Sequence, residues 1–138
     1  MQTKILILDP IAQEGVKILK DNGFVVDIET DLLPKELKEK VKDYNVLVVR
    51  SRTKVTKDII DSAQDLKLIA RAGVGIDTID IDYARKMGIA VMNSPAGASN
   101  AVAELVVGLI LALLRNIATA DRLLRNNEWK KPSSLAAN

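Results

Sequence analysis

The chain has 138 residues, 48% apolar and 28% charged, which suits one globular domain with at most a short appendage. It contains no histidine and no cysteine. That excludes a disulfide framework, a thiolate zinc site, a cysteine nucleophile and any imidazole base, and leaves only oxygen-ligand metal sites conceivable. With 20 basic against 18 acidic residues, the net charge of +2 is too even for a nucleic-acid or membrane-surface field.

The chain alternates short apolar runs with amphipathic stretches. Ile5-Leu6-Ile7-Leu8 reads as a buried strand, stopped by Asp9-Pro10. A helix follows over residues 11–21, with Ile11, Gly15, Ile18 and Leu19 on its inner face and Asn22-Gly23 at its end. Phe24-Val25-Val26-Asp27-Ile28 is a second strand. Pro34 suits the first position of the next helix, which turns Leu37 and Val41 inward. Val46-Leu47-Val48-Val49 is a third strand. Thr56 then caps a helix burying Ile59, Ile60 and Ala63.

Leu68-Ile69-Ala70 is a fourth strand. Asp80 or Asp77 caps the helix after it, which runs through Ala84 and Met87 to Gly88. Ile89-Ala90-Val91-Met92 is a fifth. Helices between five apolar runs predict an α/β fold: a flavodoxin-like, doubly wound, five-stranded parallel sheet covered on both faces. Ligands in such folds bind beyond the carboxyl ends of the strands.

Arg50-Ser51-Arg52-Thr53-Lys54 follows the third strand, Arg71-Ala72-Gly73-Val74-Gly75-Ile76-Asp77 the fourth, and Asn93-Ser94-Pro95-Ala96-Gly97 the fifth. Arginine suits bidentate binding of carboxylate or phosphate. A loop with two glycines frees backbone N–H groups to line an anion nest. Together these predict a small, multiply charged anionic ligand. Gly73-Val74-Gly75 is not a dinucleotide fingerprint, because the third glycine position is Thr78 and the loop follows the fourth strand. An acidic phosphoacceptor pocket is excluded too, since Arg50 ends the third strand where an aspartate would be needed.

Residues 100–114 form a long helix that is apolar almost all round, capped by Ser99 or Asn100 and ending near Leu114. Such a helix needs burial on all sides, one face on the sheet and the other on a partner. Gly108 allows close helix approach. Ile117, Ala120 and Leu124 continue as an amphipathic helix, and Trp129 is expected to anchor on another surface. The longest apolar run, residues 105–114, falls short of the ~18 residues needed to span a bilayer. No secretory leader is visible ahead of Asp9-Pro10. The expectation is a cytoplasmic protein without membrane or nucleic-acid partners.

The blocks Val49-Arg50-Ser51-Arg52-Thr53-Lys54-Val55-Thr56, Arg71-Ala72-Gly73-Val74-Gly75-Ile76-Asp77, Asn93-Ser94-Pro95 and Val102-Ala103-Glu104 carry, in order and spacing, a resemblance. They resemble the D-isomer-specific 2-hydroxyacid dehydrogenases, and among them the members that oxidise 3-phosphoglycerate to 3-phosphohydroxypyruvate for serine biosynthesis. The resemblance runs from the first strand to about Trp129. It implies a two-domain NAD enzyme, with residues 1–98 as the substrate-binding domain and 99–138 as a bridging and dimerising helix with its tail. It implies phosphate or carboxylate contacts from Arg50 and Arg71, substrate contacts from Ser51 and from the amides of Val74 and Gly75, and a cofactor contact from Val74 near the nicotinamide. It implies a homodimer through the helix that starts at Asn100. Lys130 and Lys131 resemble a basic segment that reaches a neighbouring subunit's site. Ala98 departs from the asparagine that many members carry. The family's NAD-binding Rossmann domain, with its catalytic arginine, glutamate and histidine, lies beyond Asn138. No catalytic residue is therefore assigned to this chain, and it is expected to be a part that is inactive alone. A glyoxylate, hydroxypyruvate or other 2-hydroxyacid dehydrogenase is the alternative. A non-catalytic self-associating module is a further one.

Overall fold

A computed structural model describes residues 2–129. The chain divides into two compact units, Met1–Gly97 and Ala98–Asn138. In the first, strands β1 (Lys4–Ile7), β2 (Val25–Ile28), β3 (Val46–Val49), β4 (Leu68–Arg71) and β5 (Ala90–Asn93) form one parallel sheet. The order is β2-β1-β3-β4-β5, so the winding reverses between β1 and β3. The predicted fold class is the observed one.

The central strand shows why the sheet forms here. Val46-Leu47-Val48-Val49 is apolar at every position because side chains on both faces are covered. Leu47 and Val49 point into a larger core with Leu6, Leu8 and Ile69. Val48 points the other way, with Ile5 and Ile7. Each of the side chains nearly closed to water, among them Leu6, Ile7, Leu47 and Ile69, contributes roughly 1.5–3 kcal/mol over its exposed state.

Helix α2 (Pro34–Lys40), helix α3 (Lys57–Ser62) and helix α4 (Ile81–Lys86) supply Leu37, Ile59, Ile60 and Ala84 to the larger core. Helix α1 (Gln13–Asp21) supplies Val16 to the smaller one. Coverage of that second face is partial: Ala70 is only half-buried and Met92 is 61% exposed. The inner face of α1 also differs from expectation. Val16 and Leu19 face the sheet, and Ile18 is 61% exposed. Ile18 lies some 200° round the helix from Val16, so both cannot face inward.

The helix ends rest on different groups. Gly23 takes a φ of +83° and ends α1, as Asn22-Gly23 implied. Asp80 caps α4 by accepting from the Tyr83 amide at 3.1 Å. Thr56 stands at the N-cap of α3 without a capping bond from its hydroxyl.

In the second unit, helix α5 (Ser99–Leu114) and helix α6 (Ile117–Arg125) meet at a bend of 64°. Asn116 turns the chain between them in a left-handed conformation that asparagine tolerates. Ala98 occupies the N-cap of α5 with no side-chain bond, so neither Ser99 nor Asn100 caps it. The expected burial of this helix is not found among the described residues, where none of its residues is buried. Leu105, Leu109 and Leu113 are 60% exposed or more. Trp129, expected to anchor on another surface, is 76% exposed. No single described helix is long and apolar enough to cross a membrane. Lys130 and Lys131 lie outside the described residues.

Candidate functional site

The predicted site residues gather where the strands end. The register pairs Val49 with Arg71, and Arg71 with Asn93, so these three form one row across β3, β4 and β5. Arg50 stands one residue beyond that row. Arg71 continues the phase of Ile69 and Arg50 that of Val48, so the two arginines are rim neighbours that start from opposite faces of the sheet.

The loop after β3 is organised by a residue that the motif reading treats only as a strand stop. Asp9 is 1% exposed. Its Oδ2 accepts from the Arg50 amide at 2.5 Å and from the Thr53 amide at 3.3 Å. Its Oδ1 accepts from the Thr53 hydroxyl at 3.1 Å and from Arg52 Nε at 3.4 Å. Burial works to raise the Asp9 pKa, but the two amides, the hydroxyl and the guanidinium outweigh it and hold the pKa below the ordinary aspartate value. The amides of this loop thus form an anion nest that already contains an anion. The signal was present in the sequence. Asp9 keeps the phase of Ile5 and Ile7, so the alternation carries it inward.

This arrangement divides the basic residues by task. Arg52 is structural: it binds Asp9, and its Nη2 donates to the Thr30 carbonyl at 2.8 Å. Arg50 is exposed, and its Nη1 donates to the Pro10 carbonyl at 3.2 Å, with no carboxylate partner among the described residues. Ser51 is exposed and makes no hydrogen bond among the described residues.

The loop after β4 is held by its carbonyls. Asn93 Nδ2 donates to the Val74 carbonyl at 2.6 Å, and the Ser94 amide to the Gly73 carbonyl at 3.0 Å. The amides of Val74 and Gly75 donate to nothing among the described residues and remain available to an acceptor. Val74 is 46% exposed. Arg71 folds back over Gly73, where an added Cβ would stand 2.2 Å from Nη1. Its buried Nε has no hydrogen-bond partner among the described residues. An orphaned guanidinium nitrogen and two amides without acceptors are donors of the kind an oxyanion takes. The structure thus brings Arg71, Val74 and Gly75 into one loop, with Arg50 and Ser51 on the adjacent strand end.

The loop from Gly73 opens no helix, since α4 begins at Ile81, so it is not the strand-to-helix turn on which a dinucleotide's pyrophosphate rests. Val74, the residue expected near a nicotinamide, is exposed at the rim.

A family model, the catalytic domain of D-isomer specific 2-hydroxyacid dehydrogenases, matches residues 5–130. The chain belongs to this family. A D-3-phosphoglycerate dehydrogenase of Methanocaldococcus jannaschii is 50% identical over 128 residues, covering 93% of this chain and 24% of that protein. A hydroxypyruvate reductase of Thermotoga maritima is 42% identical over 129 residues, covering 93% of this chain and 42% of that protein. The solved structure of an NAD+-bound 3-phosphoglycerate dehydrogenase from Entamoeba histolytica matches with a TM-score of 0.73 at 34% identity, over 83% of this chain and 40% of that one. The chain thus spans from about a quarter to two-fifths of the length of these 2-hydroxyacid dehydrogenases.

Proposed function

We propose that this chain is the substrate-binding part of an NAD-dependent D-3-phosphoglycerate dehydrogenase, which oxidises the 2-hydroxyl of 3-phosphoglycerate to give 3-phosphohydroxypyruvate at the entry to serine biosynthesis. The observation that carries this reading is the rim itself. Among the described residues, Arg50 and Arg71 have no carboxylate partner, and the amides of Val74 and Gly75 in the same rim have no acceptor. The proposed substrate carries a phosphate and a carboxylate, one for each end of that rim. Arg50 and Arg71 bind these groups in charge-assisted pairs, Ser51 adds a hydroxyl donor, and the amides of Val74 and Gly75 orient the bound acid. The 50% identity to a phosphoglycerate dehydrogenase supports the same substrate.

NAD is the cofactor, and when bound it supplies the hydride acceptor. This chain contributes Val74 toward the nicotinamide and no acid or base for the hydroxyl proton. The family's histidine and glutamate would do that work, and the chain has no histidine. It therefore binds and orients without turnover on its own. We read the enzyme as cytoplasmic. We also assign the exposed α5 face, residues 100–114, to a homodimer contact, since its leucines are otherwise left in water.

Calorimetric titration with 3-phosphoglycerate tests the assignment. Arg50→Ala is expected to weaken binding by roughly 2 kcal/mol, the value of a lost charge-assisted pair. Unchanged affinity counts against it. The identity to a hydroxypyruvate reductase favours a second reading, in which the acid is not phosphorylated. Titration with D-glycerate separates the two: equal affinity for both acids would favour the second.

A further inference from the structure

A groove of about 630 Å³ opens beside the rim, between the ends of β1 and β2 and helices α2 and α3. None of Arg50, Ser51, Arg71, Val74 or Gly75 lines it. Asp9 and Arg52 do, so the groove sits at the reversal of winding between β1 and β3, where doubly wound sheets take ligands. Its volume lies in the range of small-molecule sites.

Its chemistry narrows the occupant. Leu8, Leu32, Leu37 and Ile59 give it apolar walls. Three acidic side chains line it, and each has a partner. Asp9 is held by Arg52, Glu29 by Lys40 at 3.0 Å, and Asp58 by Lys38 at 2.8 Å. The loop amides that would hold a phosphate are filled by Asp9. The lining charge left without an ion pair among the described residues is Lys54, a single point charge. An apolar trough with one spare ammonium complements one negative charge on an aliphatic body. We infer that this groove binds a small amphipathic monocarboxylate, its chain against Leu32 and Ile59 and its carboxylate on Lys54.

Amide spectra of the full 138-residue chain, titrated with hexanoate, acetate and hexanol, test this. Hexanoate is expected to move the Leu32, Lys54 and Ile59 amides saturably, with a midpoint about tenfold tighter than either other probe. Lys54→Gln, a change at an exposed side chain, is expected to raise the hexanoate midpoint to that of hexanol. Equal midpoints for hexanoate and acetate would remove the apolar contact. Equal midpoints for hexanoate and hexanol, or a Lys54→Gln midpoint within about twofold of the unaltered chain, would remove the ionic one. Any of these results overturns the inference. The outcome is independent of the rim, because no rim residue lines the groove and the 3-phosphoglycerate assignment is read separately, by calorimetry on Arg50→Ala.

Discussion

Replacing Asp9 with asparagine keeps the shape of the side chain and changes what it can accept. Two donors face each carboxylate oxygen. Turned one way, its NH2 group meets the two amide donors; turned the other, it meets Arg52 Nε and a Thr53 hydroxyl that can accept instead; either way Arg52 loses its counter-charge. With Asp9 only 1% exposed, water cannot replace the lost acceptor. The expected loss is about 2–4 kcal/mol at neutral pH, from broken charge-assisted bonds and buried donors left unpaired. With a urea slope of about 2 kcal/mol per molar, the unfolding midpoint should fall by roughly 1–2 M. Amide exchange at Arg50 and Thr53 should accelerate as well. The pH dependence adds a signed test. The folded pKa of Asp9 lies below the ordinary value, so its stabilisation is complete at neutral pH. It is lost as pH falls below the unfolded value of about 3.9 and through the folded one. The stability gap between Asp9→Asn and the unaltered chain should therefore close on acidification. A gap under about 0.5 kcal/mol at pH 7, or one that widens in acid, would refute the assigned role.

Other substitutions probe separate parts. Leu47→Ala opens a cavity beneath the central strand, where the side chain has no exposure, and should cost about 2–5 kcal/mol in urea unfolding. Gly73→Ala sets a methyl group against the Arg71 guanidinium and forces a side chain onto a φ of +157°. Calorimetry should show weaker binding of 3-phosphoglycerate, and urea unfolding a loss of about 1–3 kcal/mol. Leu109→Lys on α5 removes apolar surface that is already exposed. Sedimentation should show weaker self-association without loss of helix by circular dichroism.

The sheet was legible because its strands are continuous apolar runs. Boundaries slipped by one residue, as at β1, where Lys4–Ile7 replaces residues 5–8. The extra ladder residue is decided by pairing of Lys4 with Val25, which no local pattern reveals. Ile18 was misplaced because α1 is short, and two adjacent faces of it read almost equally apolar. The rim was expected in outline from Arg50, Arg71 and the two glycines that follow Arg71. Its division of labour was not. Arg50 and Arg52 look alike in the sequence, and only the position of Asp9, forty-one residues before Arg50, separates a structural guanidinium from an open one. The long helix was expected to be buried on all sides, yet none of its residues is buried, and its apolar pattern does not say what covers it.

The carboxylate within the loop after β3 acts as a tethered ligand. Because it is covalently attached, its effective concentration never falls with dilution, and the loop it organises cannot empty. The entropy lost in ordering Arg50 through Thr53 is thereby spent during folding, before any substrate arrives. On the proposed function, an anion reaching the rim meets a loop already fastened by Asp9, and its affinity is not diminished by ordering the segment that presents Arg50.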